Sequence, residues 1–223
     1  MIRYCRRCVM PETKPDLHLD AEGVCSACRY FEKRREIDAA ARKKDLLKIL
    51  DRYRSKDGST YDCIVPASGG KDSTYQALRM KELGMNPLVV TATTDKLTPL
   101  GRRNIENLKN QGFDYVEVTP NPVVRRRINR FTLTTVGDIS WPEHVAIFTI
   151  PVRIACQMRI PLIVWGENSQ HEYGGPAGAA ENNTLTRRWL EEFGGLLGLR
   201  VSDLVGVEGI EPRDLIQYTY PSD

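Results

Sequence analysis

The rhythm of apolar and polar positions changes twice along the chain. Residues 1–30 carry little regular pattern. Residues 31–54 are rich in Lys, Arg, Glu, Ala and Leu, and Ile37, Leu46, Leu47, Ile49 and Leu50 suit one face of a helix. Lys56-Asp57-Gly58-Ser59 then breaks the pattern. From Tyr61 onward short apolar runs alternate with helical stretches. Strands are predicted at 62–66, 87–92 and 115–118, with a further buried strand at 161–165. Helices are predicted at 72–83, 101–111 and 144–158, the first stopped by Gly84. This alternation predicts an α/β fold, a parallel sheet flanked by helices on both faces. Three regions follow: a cysteine-bearing module at 1–34, a helical linker at 35–57 and an α/β domain at 58–223. Gly174 to Ala180, all small residues and one proline, read as a mobile loop, and no internal repeat is present.

Composition narrows the class without naming it. The 223 residues suffice for one sizeable core and a small appendage. Hydrophobic residues at 41% and charged residues at 27% fit an ordinary soluble protein. A net charge of +3 is too small to point to nucleic acid. Met1-Ile2-Arg3-Tyr4-Cys5 has no apolar run of the signal-peptide kind, and no apolar stretch approaches a membrane span. A cytoplasmic protein is the expectation, in which paired cysteines are read as metal ligands before disulfides.

The chemistry is most legible at Ser68-Gly69-Gly70-Lys71-Asp72-Ser73, which joins the 62–66 strand to a helix. Two glycines permit a sharp turn and close approach to a ligand. A helix N-terminus offers free N–H groups and partial positive charge, which suit phosphate. Ser68 and Ser73 add hydroxyls and Lys71 a full charge. The run is not a Walker A loop, because Val65 stands where that motif has its first Gly and Asp72 where it has Ser or Thr. Asp72 suits either a helix cap or a Mg²⁺ ligand, and the residues leave both open.

Cys5-x-x-Cys8 and Cys25-x-x-Cys28 stand sixteen residues apart. Each pair makes a tight knuckle, and four thiolates give tetrahedral ligation of Zn²⁺. Protein fills every position, so the zinc is expected to be structural; an iron–sulfur cluster is the competing reading. Cys63 and Cys156 sit in apolar runs and are expected to be buried.

In open parallel sheets ligands bind beyond the carboxyl ends of the strands. The 87–92 strand ends in Thr91-Ala92-Thr93-Thr94-Asp95, whose backbone is placed to meet adenine or ribose. The 161–165 strand ends in Gly166-Glu167-Asn168, followed by His171-Glu172-Tyr173-Gly174-Gly175. Gly166 would let backbone approach a ligand, and Glu167 suits Mg²⁺ or the reacting group. Trp141 and His144 are weaker candidates for a sugar site, with packing and helix capping as their plainer roles. Arg125-Arg126-Arg127 and Arg130 form either a solvated face or an attractor for a diphosphate-linked substrate.

The loop resembles the PP-loop of N-type ATP pyrophosphatases, which cleave ATP between the α and β phosphates. Taken with Cys5-Arg-Arg-Cys8-Val-Met-Pro11, Gly23-Val-Cys25-Ser-Ala-Cys28, Tyr61-Asp-Cys-Ile-Val-Pro66, Ile163-Val-Trp-Gly-Glu-Asn168 and Glu172-Tyr-Gly-Gly175, the chain resembles the N-acetyl sugar amidotransferases of bacterial surface-polysaccharide and flagellar-sugar pathways over nearly its whole length. The resemblance implies that ATP adenylates the oxygen of an acetamido group on a nucleotide-linked sugar. Ammonia then displaces AMP to leave an acetamidine. It implies Pro66, Ala67, Ser68, Gly69, Gly70, Lys71, Asp72, Ser73, Thr91 and Gly166 around ATP, with Lys71, Asp72 and Glu167 at the reacting groups and Mg²⁺ as cofactor. Trp141, His144, Asn168, Glu172 and Tyr173 are the sugar-site candidates. No glutaminase segment is visible, and the resemblance implies a separate glutaminase subunit. Similar proteins continue beyond residue 223, and residues 215–221 read as the start of another element, so the chain is expected to be truncated or a short variant. The alternative is a tRNA-thiolating enzyme, which shares the loop and the knuckles. It would need further cysteines near ATP, and only Cys63 and Cys156 remain.

Overall fold

The computed structural model describes residues 2–14, 17–33, 36–94, 96–166 and 186–222. The chain divides into two compact units, Met1–Arg52 and Tyr53–Asp223.

In the first unit two short antiparallel bridges, Tyr4 with Pro11 and Leu19 with Cys25, shape the turns that carry the cysteines. Cys5, Leu17, Val24 and Cys25 form a small buried cluster. The turn between Leu19 and Cys25 is pinned by Asp20, whose carboxylate accepts from the backbone N–H of Glu22 and Val24 and from Arg29. Helix α1 (Ser26–Lys33) starts immediately after Cys25, inside the region read as irregular. Helix α2 (Ala39–Tyr53) opens where the Asp38 carboxylate accepts from the N–H of Ala40 and Ala41. Of the predicted apolar face only Leu50 is fully buried. Ile37 precedes the helix and Ile49 points outward, so both stay exposed.

In the second unit the buried Asp62 carboxylate accepts from the N–H groups of Ser55 and Asn86 and so aligns the starts of the first two strands. Strands β1 (Cys63–Pro66), β2 (Pro87–Ala92) and β3 (Asp114–Val118) form a parallel sheet in that order. Helices α3 (Lys71–Glu82), α4 (Pro99–Asn110), α5 (Pro122–Val136), α6 (Trp141–Met158) and α7 (Arg187–Phe193) complete the regular elements. Alternation along β2 sends Leu88 and Val90 to one face, where they join Ile64, Trp141, Val145, Ala146 and Ile150 in the main core. Helix α6 is apolar on nearly all sides because it lies between the sheet and the C-terminal segment. Leu204, Ile210, Leu215 and Tyr218, from the 3-10 turns and the segment after them, close that core.

The segment 161–165 is not the buried strand expected. Its bridge is a single parallel one, Ile163 to Ile64, with Ile64 N–H donating to Leu162 O and Val164 N–H to Ile64 O. Pro161 is exposed and has no N–H, and the residues after it are half-buried. The bridge nonetheless sets the topology. The chain runs outward from β1 to β3, then returns to pair with the other side of β1. The strand order therefore reverses beside β1, and a crevice is expected at its carboxyl end. Among the described residues no helix is long and apolar enough to cross a membrane.

Candidate functional site

The crevice is a cavity of about 210 Å³ at the carboxyl end of β1. One wall is Pro66, Ala67, Ser68, Gly70, Lys71, Asp72 and Ser73; the other is Ile147, Phe148 and Pro151 of α6 with Trp165 and Gly166, and Val90 and Ala92 form its floor. The loop between β1 and α3 turns at Gly69, whose φ of 79° lies in the left-handed region. A Cβ there would lie 3.2 Å from both the backbone N and Cγ1 of Ile105 on α4. Gly69 is therefore held away from the cavity, packed on α4, and is a shaping residue. Gly70 is the N-cap of α3 and no side chain caps it. The first-turn N–H groups of α3 thus open at the cavity mouth, the arrangement that attracts anions. Ser68 Oγ accepts from Gly70 N–H at 3.4 Å, and Ser73 Oγ donates to Gly70 O at 3.2 Å. Lys71 Nζ lies 2.7 Å from both carboxylate oxygens of Asp72, and both side chains are exposed. Asp72 thus pairs with a lysine and does not cap the helix.

Thr91 does not line the cavity. It points to the opposite face of the sheet, buried, donating to Ala67 O and meeting the Tyr115 hydroxyl. Its part is to brace the strand end under the loop. Gly166 does line the cavity, and a Cβ there would lie 3.0 Å from Gln76 Oε1. That buried oxygen has no hydrogen-bond partner among the described residues.

Trp141 is fully buried, and its indole N–H donates to Leu196 O at 2.9 Å, so it packs the core and does not line this cavity. His144 stands in the first turn of α6 with Nδ1 3.8 Å from Asp138, outside the cavity lining. Glu167, Asn168, Glu172 and Tyr173, together with Asp95, His171 and the 174–180 loop, lie outside the described residues. Arg125 sits 3.7 Å from Glu143, and Arg130 pairs with Glu208. The basic run belongs to a regular helix, α5, which the hydrophobic pattern does not predict. The apolar wall of Ile147, Phe148, Pro151 and Trp165 is likewise absent from the sequence-based expectations. Phe148 and Trp165 pack in a tilted contact with ring centroids 5.4 Å apart and planes at 44°. The signal available was Phe148 and Pro151 three residues apart in the predicted 144–158 helix.

The four cysteines of the first unit converge. Their sulfur atoms all lie within 4.8 Å of one another, with Cys5 to Cys28 at 3.9 Å and Cys8 to Cys25 at 3.5 Å. A tetrahedron with Zn–S of about 2.3 Å has edges of about 3.8 Å, so the set fits a metal such as zinc. Backbone amides supply the outer shell. Arg7 and Cys25 N–H groups point to Cys5 Sγ and Cys28 N–H to Cys25 Sγ, as knuckles require. The amide of Cys8, followed by those of Arg7 and Cys25, lowers the Cys5 thiol to about 6, against the opposing effect of burial. The Cys8 thiol, then burial, pushes Cys28 up to about 12. Cys25 is also raised, chiefly by burial.

Of the remaining cysteines, Cys63 is fully buried and burial, helped by Asp62, raises its thiol to about 12. Cys156 is exposed, contrary to expectation, on the solvent side of α6 near its end.

Set against protein-family models and against curated proteins, the chain matches none.

Proposed function

We propose that the chain is the ATP-using synthase half of a sugar amidotransferase, built on a PP-loop pyrophosphatase fold. The observation that carries this reading is the loop 68–73. It lies at an uncapped helix N-terminus, at the carboxyl end of β1, and opens on a cavity where the strand order reverses. The triphosphate of ATP would sit against the first-turn amides of α3 with Ser68 and Ser73. Lys71, released from Asp72, would stabilise charge on the departing pyrophosphate. Asp72 is the described carboxylate suited to Mg²⁺, which would neutralise phosphate oxygens. The acceptor is the acetamido oxygen of a nucleotide-linked sugar. Its attack on the α phosphate forms an O–P bond and breaks the bond to pyrophosphate. Ammonia from a partner glutaminase then adds to the imidate carbon, and AMP leaves with the oxygen. The four-cysteine set would hold a structural Zn²⁺, and the chemistry belongs in the cytoplasm, where ATP and nucleotide sugars are found. A thiolating role draws no support from the cysteines. Cys63 is buried as a neutral thiol and Cys156 is not in the cavity wall.

The test is incubation with ATP, Mg²⁺, ammonium and candidate acetamido nucleotide sugars. The expected result is AMP release with a product about one mass unit lighter, as NH replaces O. ADP in place of AMP, or AMP with every sugar unchanged, would overturn the assignment.

A further inference from the structure

From Ile2 to Met10 every side chain except that of Cys5 is exposed, and four of them, Ile2, Tyr4, Val9 and Met10, are large and apolar. We propose that this tip of the first unit docks on an anionic lipid surface. Val9 and Met10 enter the interfacial layer, and Arg3, Arg6, Arg7 and Lys14 meet the lipid phosphates. Nothing in this depends on the loop 68–73 or on the reaction assigned to it.

Val9 is the first sign. Its φ of 61° lies in the left-handed region. The turn imposes that path, since Val9 N–H donates to Cys5 O at 3.0 Å and Cys5 N–H to Met10 O at 2.9 Å. Glycine follows such a path freely, whereas a β-branched residue is an outlier there. Burial within the unit does not offset the strain. Val9 is 68% exposed and stands outside the cluster of Cys5, Leu17, Val24 and Cys25. A strained apolar side chain left in water points to a contact outside the chain. Charge then selects the partner. Residues 2–14 hold Arg3, Arg6, Arg7 and Lys14 against one acid, Glu12. The unit Met1–Arg52 has 13 basic and 9 acidic residues and the unit Tyr53–Asp223 has 19 and 20, so the positive excess lies in the unit with the tip. Arg3 pairs with Glu12 and Arg7 with Glu32, but both pairs are exposed and weak, and lipid phosphate competes for the guanidinium groups. Finally, the apolar residues and the cations are interleaved within one short turn. A bilayer interface takes both together: aliphatic carbons enter the acyl boundary, arginine stems lie along it with their heads among phosphates, and a tyrosine such as Tyr4 sits at headgroup level. A second copy of the tip would set like charges against one another, and nucleic acid would leave Val9 and Met10 in water.

Cosedimentation of the full chain with vesicles tests this, using phosphatidylcholine alone and phosphatidylcholine with about a third phosphatidylglycerol. The chain should bind the mixed vesicles, bind the neutral ones at least about tenfold more weakly, and lose affinity as salt rises. Val9→Gly should weaken binding to the mixed vesicles about tenfold. It should melt close to the parent, because relief of the left-handed strain offsets the added freedom of the unfolded chain. Val9→Leu should keep affinity within about threefold, and Lys14→Glu should weaken binding and flatten its salt dependence. Binding by Val9→Gly as tight as the parent's would overturn the proposal, as would equal binding to the two kinds of vesicle or binding to neither. A Val9→Gly chain that melts well below the parent would mean that the valine is held by contacts inside the unit, and the proposal falls. A lipid-free dimer that Val9→Gly abolishes would give the tip to a second copy of the chain and equally overturn it.

Discussion

Gly69 and Thr91 both suit ATP contacts by sequence, and the geometry gives each a different part. Gly69 combines a φ of 79° with a van der Waals wall of α4 backbone, so an added methyl has nowhere to go. Gly69→Ala should cost about 2 kcal/mol of stability and displace the loop, which thermal melts and loss of tripolyphosphate binding would register together. Thr91 braces the same loop from below through Ala67 O. Thr91→Val keeps the shape but leaves that carbonyl and the Tyr115 hydroxyl short of a partner in a buried setting. The expected loss is about 1–3 kcal/mol in denaturant unfolding, with nucleotide affinity changing only as far as the loop moves. An unchanged midpoint would show that water takes the place of the hydroxyl. Glycines that must turn a chain are visible in sequence because other residues rarely adopt a positive φ. Which face of a strand a threonine occupies depends on where the helices pack, and that was not visible.

At the level of elements, the strands β1 to β3 and helices α3, α4 and α6 were readable because each joins a strong period to a clear stop. Helix α5 was hidden by its own charge. Arg125, Arg126, Arg127 and Arg130 obscured the buried stripe of Val124, Ile128 and Thr132. Its ends were nonetheless written in the chain. Asn121 Oδ1 accepts from Val123 N–H at 2.9 Å, Pro122 opens the first turn and Gly137 closes it in the left-handed region. Asn121→Ala should therefore lower stability by about 1 kcal/mol, measured as a shift of the chemical-denaturation midpoint, while Asn121→Asp should be nearly neutral. The 161–165 segment erred in the other direction. Its apolar run promised a buried strand, but Pro161 cannot donate to a ladder and one bridge is what remains. The aromatic wall is hidden in the sequence for a related reason. Phe148 and Trp165 are distant in sequence, and their pairing exists only once α6 lies over β1 and β2.

For the molecule as a whole, acid should attack the N-terminal unit through two linked equilibria. Metal binding needs four thiolates, yet burial raises Cys25, and the Cys8 thiol together with burial holds Cys28 near 12, so these two are protonated at neutral pH before metal arrives. Loading must expel those protons, and the apparent affinity should fall as pH falls, by about tenfold per pH unit for each proton released. Cys5, lowered to about 6, adds a further proton only below that value, so the dependence should steepen there. The second equilibrium is the Asp20 carboxylate. Hydrogen bonds from the Val24 amide and from Arg29 hold it below its ordinary range. A lowered folded-state value means that its contribution is complete above the ordinary carboxylate range and is lost as pH drops through the folded value. Competition for Zn²⁺ with a chromophoric chelator, run between about pH 8 and 5.5, should show a slope of at least about two protons that increases below about pH 6. Asp20→Asn should leave the slope near neutrality intact while weakening the unit's resistance to unfolding. A pH-independent affinity over that range would mean the thiols are already ionised without metal, contradicting the burial of Cys25 as the cause of its raised value.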